Sequence, residues 1–224
     1  MTDLDSRTRA TDPITIYHLG ASQSERIVWL MEELDLPYRL EWYDRGADYL
    51  APPEYLALHP ASMAPVIRDG DLVLAESTAI VQYIAHRHGG GKLTVGPDDD
   101  NYADYLYWLE FNNNFLCTFF MKRALEEGGS TQAGGNMTKI ANRRADGLLR
   151  QMNEHLSDNA YLAGDDFSLA DLMSGYVVTS LPALLRHEPR ESIANVLAFA
   201  ERLRSRPAWK KAMAIAGRGA KRPE

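Results

Sequence analysis

The sequence predicts an α/β domain followed by an all-helical domain, and three observations carry this prediction. Residues 14–88 alternate between short β-rich runs and helically spaced segments, residues 89–100 are rich in glycine, proline and aspartate, and every later segment has a helical pattern. A chain of 224 residues provides material for two modest domains. The predicted boundaries are 1–12 for a disordered tail, 13–88 for the α/β domain, 89–100 for a linker, 101–216 for the helical domain and 217–224 for a basic tail.

The α/β domain is predicted to have the element order βαβαββα. Strands are expected at 14–17 and 38–43, and apolar residues at helical spacing between them predict the first helix. A weak helix is expected within 48–58, where Pro52 and Pro53 interrupt the pattern. Two short strands flanking an Asp-Gly-Asp turn then precede a helix over 77–88. This order is that of a thioredoxin-like domain, a mixed sheet covered by helices.

The helical domain begins with an aromatic-rich helix predicted over 105–125. Four aromatic residues of this helix are expected to spread over more than one face and to lie mostly in the core: Trp108, Phe111, Phe115 and Phe119. An amphipathic stripe follows, formed by Ala141, Ala145, Leu148, Leu149, Met152 and Leu156. Ser168 and Asp171 have the spacing of a capping box at the start of a further helix. Pro207 is typical of the first turn of a last short helix.

Composition excludes several classes of function. The net charge of -7 disfavours nonspecific nucleic-acid binding, which needs a basic surface. No apolar run is long enough to span a membrane, and residues 1–12 lack the apolar core of a secretory signal. We therefore expect a cytoplasmic protein. Cys117 is the single thiol, so the chain can form neither an intrachain disulfide nor a Cys-x-x-Cys redox motif.

The turn between the first strand and the first helix holds two candidate hydroxyl groups. Ser22 stands three residues before Glu25, which is also the spacing of a structural capping box. A hydroxyl at a helix N-terminus can instead stabilise a thiolate by a charged hydrogen bond, which contributes about 1.5–3 kcal/mol. Ser24 falls near the same helix start, about 200° further round if both residues are helical. Both interpretations of Ser22 therefore stay open on spacing alone.

A second candidate site combines a proline loop with an acidic helix start. Ala64 and Pro65 lead into a strand, and Glu76 and Ser77 open the helix that closes the domain. The free N–H groups of a helix start can hold a ligand carboxylate, and Glu76 can receive an ammonium group. Together these groups suit a small zwitterion.

These motifs resemble the soluble glutathione transferase family over about residues 14–215. Ser22 lies four residues before Arg26, the spacing found in serine-type members, so the resemblance implies that Ser22 activates the thiol of glutathione. Ser24 is the second candidate and Tyr17, on the strand, the third. The resemblance also implies a cis bond before Pro65, pairing of the Ala64 backbone with the glutathione cysteine, and γ-glutamyl binding by Glu76 and Ser77.

The implied function is attack of the glutathione thiolate on a small apolar electrophile, without a metal. Glutathione-dependent reduction of peroxides or disulfides and a non-catalytic binding module are the alternatives. The acceptor pocket is expected on the first helix of the helical domain and to involve Trp108, Asn112 and Phe115. Family members form homodimers, so we expect a homodimer. Met63 departs from the family, many members of which have a lysine there for the glycyl carboxylate.

Overall fold

A computed structural model describes residues 12–127, 132–180, 185 and 188–223. The predicted tail at 1–12 therefore lies outside the described residues except for Asp12. The elements are β1 Ile14–Leu19, α1 Glu25–Glu33, β2 Tyr38–Tyr43, α2 Pro53–Leu56, β3 Val66–Asp69, β4 Leu72–Ala75, α3 Ser77–Arg87, α4 Tyr102–Glu127, α5 Gln132–Asp158, α6 Leu169–Ser180, α7 Ala194–Ser205 and α8 Pro207–Ala216. The predicted thioredoxin-like order βαβαββα is confirmed, and so is the helical character of the second half.

The four strands form one mixed sheet in the order β2-β1-β3-β4. Strand β1 is parallel to β2 and antiparallel to β3, and β3 and β4 form an antiparallel hairpin. All six residues of β1 are buried, as expected for a central strand covered on both faces. Tyr17 lies opposite Val66 on β3, and Val66 lies opposite Ala75 on β4. This register brings the end of β1, the start of β3 and the end of β4 to one end of the sheet.

The described residues form two compact units, residues 12–92 with 211–223 and residues 93–210. This division differs from the predicted boundaries at the C-terminal end, where 211–216 were assigned to the helical domain. Contacts distant in sequence connect residues after 210 with the first unit: Lys211 Nζ lies 2.6 Å from Glu32 Oε2 of α1. The predicted basic tail also belongs to the first unit, where Arg222 lies 3.8 Å from Asp44.

In the helical unit, α6 is buried along its whole length and is packed against α4 and α7. The predicted stripe on α5 is confirmed, because all six of its members are buried. The predicted helix start at Ser168 is also confirmed. The Asp171 carboxylate accepts hydrogen bonds from Leu162 N at 2.7 Å and Ser168 N at 2.8 Å, and burial raises the Asp171 pKa to about 6. No helix among the described residues is long and apolar enough to cross a membrane.

Candidate functional site

The turn between β1 and α1 places Ser22 differently from the sequence-based prediction. Helix α1 begins at Glu25, so Ser24 occupies the N-cap position and Ser22 lies two residues before it. The Ser24 side chain makes no capping hydrogen bond, and Ser22 Oγ accepts from Ser24 N at 3.2 Å. The N-cap position that the capping-box interpretation gives to Ser22 is therefore wrong. The turn includes Ala21, whose φ of 53° lies in the left-handed region that non-glycine residues rarely adopt.

Ser22 and Ser24 belong to one hydrogen-bonded network. The two Oγ atoms are 2.8 Å apart, and Ser24 Oγ is also 2.8 Å from His18 Nδ1. The prediction that the two hydroxyls face directions 200° apart is wrong, because it assumed helical geometry for residues that precede the helix. Ser24 is completely buried, whereas Ser22 keeps a small exposed fraction of 6%. Of the two serines, Ser22 is therefore the one that keeps any exposure.

His18 is the residue of this network that sequence reasoning missed. Its side chain is completely buried, and its ring lies 4.4 Å from the ring of Trp42 on β2. Burial lowers the His18 pKa to about 4, so the imidazole is neutral at physiological pH. Strand alternation could have identified it, because neighbouring residues of a strand point to opposite faces of the sheet. His18 therefore faces the opposite side of the sheet from Tyr17 and Leu19.

Tyr17 lies in an apolar cluster on that other face. Its side chain is 7% exposed and packs with Leu19, Tyr55, Val66 and Ala75. Its backbone oxygen accepts a hydrogen bond from Tyr55 Oη at 3.4 Å. The third candidate for thiol activation is thus on the face of β1 opposite to His18, and a packing role accounts for its position.

The loop before β3 has the predicted cis bond between Ala64 and Pro65. Pro65 is buried, Ala64 is half-buried, and the Met63 side chain is 56% exposed. Ser62 enters the loop with a φ of 50°. Ala64 directly precedes the loop's entry into β3. The start of β3 and the end of β1, where the Ser22 turn begins, lie at the same end of the sheet.

Glu76 joins β4 to α3 in a conformation that side-chain-bearing residues rarely adopt, with φ 72° and ψ 116°. Its side chain is exposed, whereas Ser77 is 6% exposed. Ile80 N donates to Glu76 O at 2.9 Å, so the N–H groups of residues 77–79 have no partner within the helix turn. The Thr78 hydroxyl is buried and has no hydrogen-bond partner among the described residues. This helix start offers several donors to an anion.

Three segments that are distant in sequence thus meet at one end of the sheet. The register of Tyr17, Val66 and Ala75 sets the Ser22 turn, the Ala64–Pro65 loop and the Glu76–Ser77 helix start beside one another. The turn presents a hydroxyl, the loop presents backbone groups, and the helix start presents N–H donors with an adjacent carboxylate. This set of groups can hold an extended ligand that has an amino-acid end and a central thiol.

Comparison with known proteins identifies the family. Residues 21–87 match the glutathione S-transferase N-terminal domain, and residues 100–207 match the C-terminal domain of the same family. Glutathione S-transferase 3 of Zea mays is 30% identical over 213 residues, which cover 90% of this chain and 94% of the relative. The chain belongs to the soluble glutathione S-transferase family.

Solved structures agree with this glutathione transferase assignment. A glutathione S-transferase of Actinobacillus pleuropneumoniae aligns with a TM-score of 0.83 at 29% identity, covering 94% of this chain and 97% of that one. A theta-class enzyme of Xanthomonas axonopodis pv. citri with glutathione bound aligns with a TM-score of 0.69 at 26% identity, covering 89% and 96%. The enzyme class of this chain is therefore glutathione transferase, with glutathione as the substrate that this class uses.

The predicted acceptor residues on α4 of this glutathione transferase are core residues of the helical unit. Trp108, Asn112 and Phe115 are at most 2% exposed, so they present almost no surface to an acceptor. Trp108, Phe111, Phe115 and Phe119 form one continuous ring series with centroid distances of 4.7, 5.3 and 4.8 Å. The prediction that most of these aromatics lie in the core is confirmed. The prediction that they spread over more than one face is wrong, since their spacing of three and four residues keeps them on one face.

Proposed function

We propose that this glutathione transferase joins the thiolate of glutathione to a small apolar electrophile, with Ser22 as the thiol-activating hydroxyl. The observation that carries the proposal is the network at the β1–α1 turn, in which Ser22 is the end member and a residue with residual exposure. In the reaction, the thiol releases its proton to solvent, the sulfur forms a bond to the electrophilic carbon, and the leaving group departs from that carbon.

The magnitudes suffice without a general base. A free thiol has a pKa of about 8.5, and lowering it by two units needs about 2.7 kcal/mol of preference for the anion. A hydrogen bond from Ser22 to the sulfur supplies about 1.5–3 kcal/mol, and the nearby start of α1 adds about 0.3–1 kcal/mol. Binding beside the acceptor then converts a bimolecular reaction into an effectively unimolecular one.

Glutathione itself is proposed to bind along the sheet end described above. Its γ-glutamyl carboxylate would accept from the start of α3 and from Ser77, and its ammonium group would pair with Glu76. The Ala64 backbone would pair with the cysteinyl residue. The exposed Met63 provides no charge for the glycyl carboxylate, so this end of glutathione is held by fewer contacts than in members with a lysine there.

The decisive experiment measures turnover of glutathione with three acceptors: chlorodinitrobenzene, cumene hydroperoxide and a small disulfide. Conjugation of the first as the preferred reaction supports the proposal. Turnover of only the peroxide or the disulfide would show that the protein is a glutathione-dependent reductase instead. Glutathione binding without any turnover would show that it is a non-catalytic binding module. Ser22→Ala is expected to raise the pKa of bound glutathione by about one to two units, whereas Ser157→Ala, at an exposed position on α5, should leave it unchanged.

The assembly and the location follow the family expectation. We propose a cytoplasmic homodimer, and light scattering of the purified chain tests the dimer directly. A monomer at micromolar concentration would contradict that part of the proposal.

A further inference from the structure

Three polar side chains are hydrogen-bonded in series at the β1–α1 turn. The series begins at the completely buried His18, passes through the completely buried Ser24, and ends at Ser22. The two distances, from His18 Nδ1 to Ser24 Oγ and from Ser24 Oγ to Ser22 Oγ, are both 2.8 Å. The first two members have no access to a ligand, so any effect they have on the thiol acts through Ser22.

The donors and acceptors around Ser22 restrict what its hydroxyl can do. A hydroxyl oxygen has one proton to donate and two lone pairs that accept. Ser22 Oγ already accepts from Ser24 N at 3.2 Å. When the Ser24 hydroxyl also donates to it, both lone pairs are occupied, and the Ser22 proton is left to point to a ligand.

The tautomer of His18 decides whether Ser24 donates in that direction. His18 Nε2 is buried and has no hydrogen-bond partner among the described residues. Unpaired buried N–H groups are rarer in proteins than unpaired acceptors, so the proton of the neutral ring belongs on Nδ1. Nδ1–H then donates to Ser24 Oγ, and the Ser24 hydroxyl donates to Ser22. The longer distance of 3.4 Å from Ser24 Oγ to Leu19 O makes that oxygen the weaker competitor.

We propose that His18 is a positioning residue which, through Ser24, orients the Ser22 hydroxyl as a donor to the glutathione thiolate. This inference rests on the proposed function, in which Ser22 contacts the sulfur. A thiolate only accepts hydrogen bonds, whereas a thiol carries its own proton, so a preset donor favours the ionised form selectively. Each bond of the series also polarises the next, which strengthens the terminal one.

The test follows the ultraviolet absorbance of the thiolate against pH in the protein saturated with glutathione. The variants are Ser22→Ala, Ser24→Ala, His18→Phe, His18→Asn and the double variant His18→Phe/Ser24→Ala. His18→Phe and Ser24→Ala are each expected to raise the thiol pKa by about half to one unit, less than Ser22→Ala does. The double variant should add nothing to either single variant, and the side-chain amide in His18→Asn should restore most of the shift. A merely structural role of His18 would not produce this pattern.

Failure of the series and failure of the proposed function give different results. An unchanged thiol pKa in Ser22→Ala overturns the role of Ser22 and the series with it. If the thiol pKa shifts in Ser22→Ala but in none of the His18 and Ser24 variants that fold, only the role of the hydrogen-bonded series is overturned. If His18→Phe does not fold, nitrogen NMR of His18 in the native chain decides: protonated Nδ1 supports the orientation, and protonated Nε2 overturns it.

Discussion

Replacing Glu76 by glycine is expected to stabilise the fold and weaken glutathione binding at the same time. Glu76 has φ 72° and ψ 116°, and its side chain is exposed. A side-chain-bearing residue held at positive φ costs about 1–3 kcal/mol, and glycine avoids much of this cost because it has no Cβ. Glycine also gives the unfolded chain more conformational freedom, which offsets about 0.4–1 kcal/mol of this gain in stability. The net expectation is a gain of about 1 kcal/mol in the free energy of unfolding.

The same substitution removes the carboxylate proposed to pair with the ligand ammonium. Loss of a hydrogen bond to a charged group costs about 1.5–3 kcal/mol, which corresponds to roughly ten- to hundredfold weaker binding. Glu76→Ala should lose as much affinity but gain no stability, because alanine keeps the Cβ at positive φ. The pair of variants therefore separates strain from binding.

Urea unfolding and titration calorimetry with glutathione measure the two quantities. Glu54→Gly is the matched control, since Glu54 is an exposed acid in the first turn of α2. There, glycine is expected to cost about 0.5–1 kcal/mol of stability and to leave glutathione affinity unchanged. The reasoning is refuted if Glu76→Gly does not raise the free energy of unfolding or if it retains full affinity for glutathione.

Three further substitutions test other parts of the site. The His18 pKa is about 4 in the fold, below the usual 6.5, so its stabilising contribution is present above about pH 6.5 and is lost as the pH falls toward 4. In urea unfolding, the difference in the free energy of unfolding between the native chain and His18→Phe should therefore shrink by about 2 kcal/mol from about pH 7 to about pH 5. A difference that is constant with pH contradicts the buried neutral state of His18. His86→Gln, at an exposed position, is the control. Met63→Lys should tighten glutathione binding about two- to fivefold in calorimetry by adding a cation, whereas Leu50→Lys, at another exposed apolar position, should not. Tyr17→Phe should leave the pKa of bound glutathione unchanged in the thiolate titration, and a rise of one unit would return Tyr17 to the candidates.

Much of the α/β unit could be predicted because its signals are local. Strands such as β2, the turn between β3 and β4, and the helix start at Ser77 each depend on a few neighbouring residues. The apolar stripe on α5 could also be predicted from the sequence, since its six apolar residues repeat at helical spacing on one face. The cis bond before Pro65 came from family resemblance, because an X-Pro sequence by itself favours trans.

The parts that could not be predicted depend on contacts distant in sequence. Residues 211–216 continue a helical pattern, and their place in the first unit depends on contacts distant in sequence, such as the ion pair between Lys211 and Glu32. The burial of Trp108 and Phe115 likewise follows from how α5 and α6 cover α4, which no local motif encodes. An acceptor pocket built from such contacts has no sequence signature of its own.

The β1–α1 turn shows why residue type and spacing do not define a hydroxyl site. Ser22 and Ser24 are chemically identical and two residues apart, so sequence reasoning could separate them only by assuming where the helix begins. In the structure α1 begins at Glu25, so both serines precede the helix, and their hydroxyl groups are hydrogen-bonded to each other instead of facing different directions. What distinguishes them is the buried imidazole of His18, which is hydrogen-bonded to Ser24 and leaves Ser22 as the end member of the series. A hydroxyl can donate or accept, and a thiolate needs a donor. The chemistry of Ser22 therefore depends on a strand residue that does not touch it.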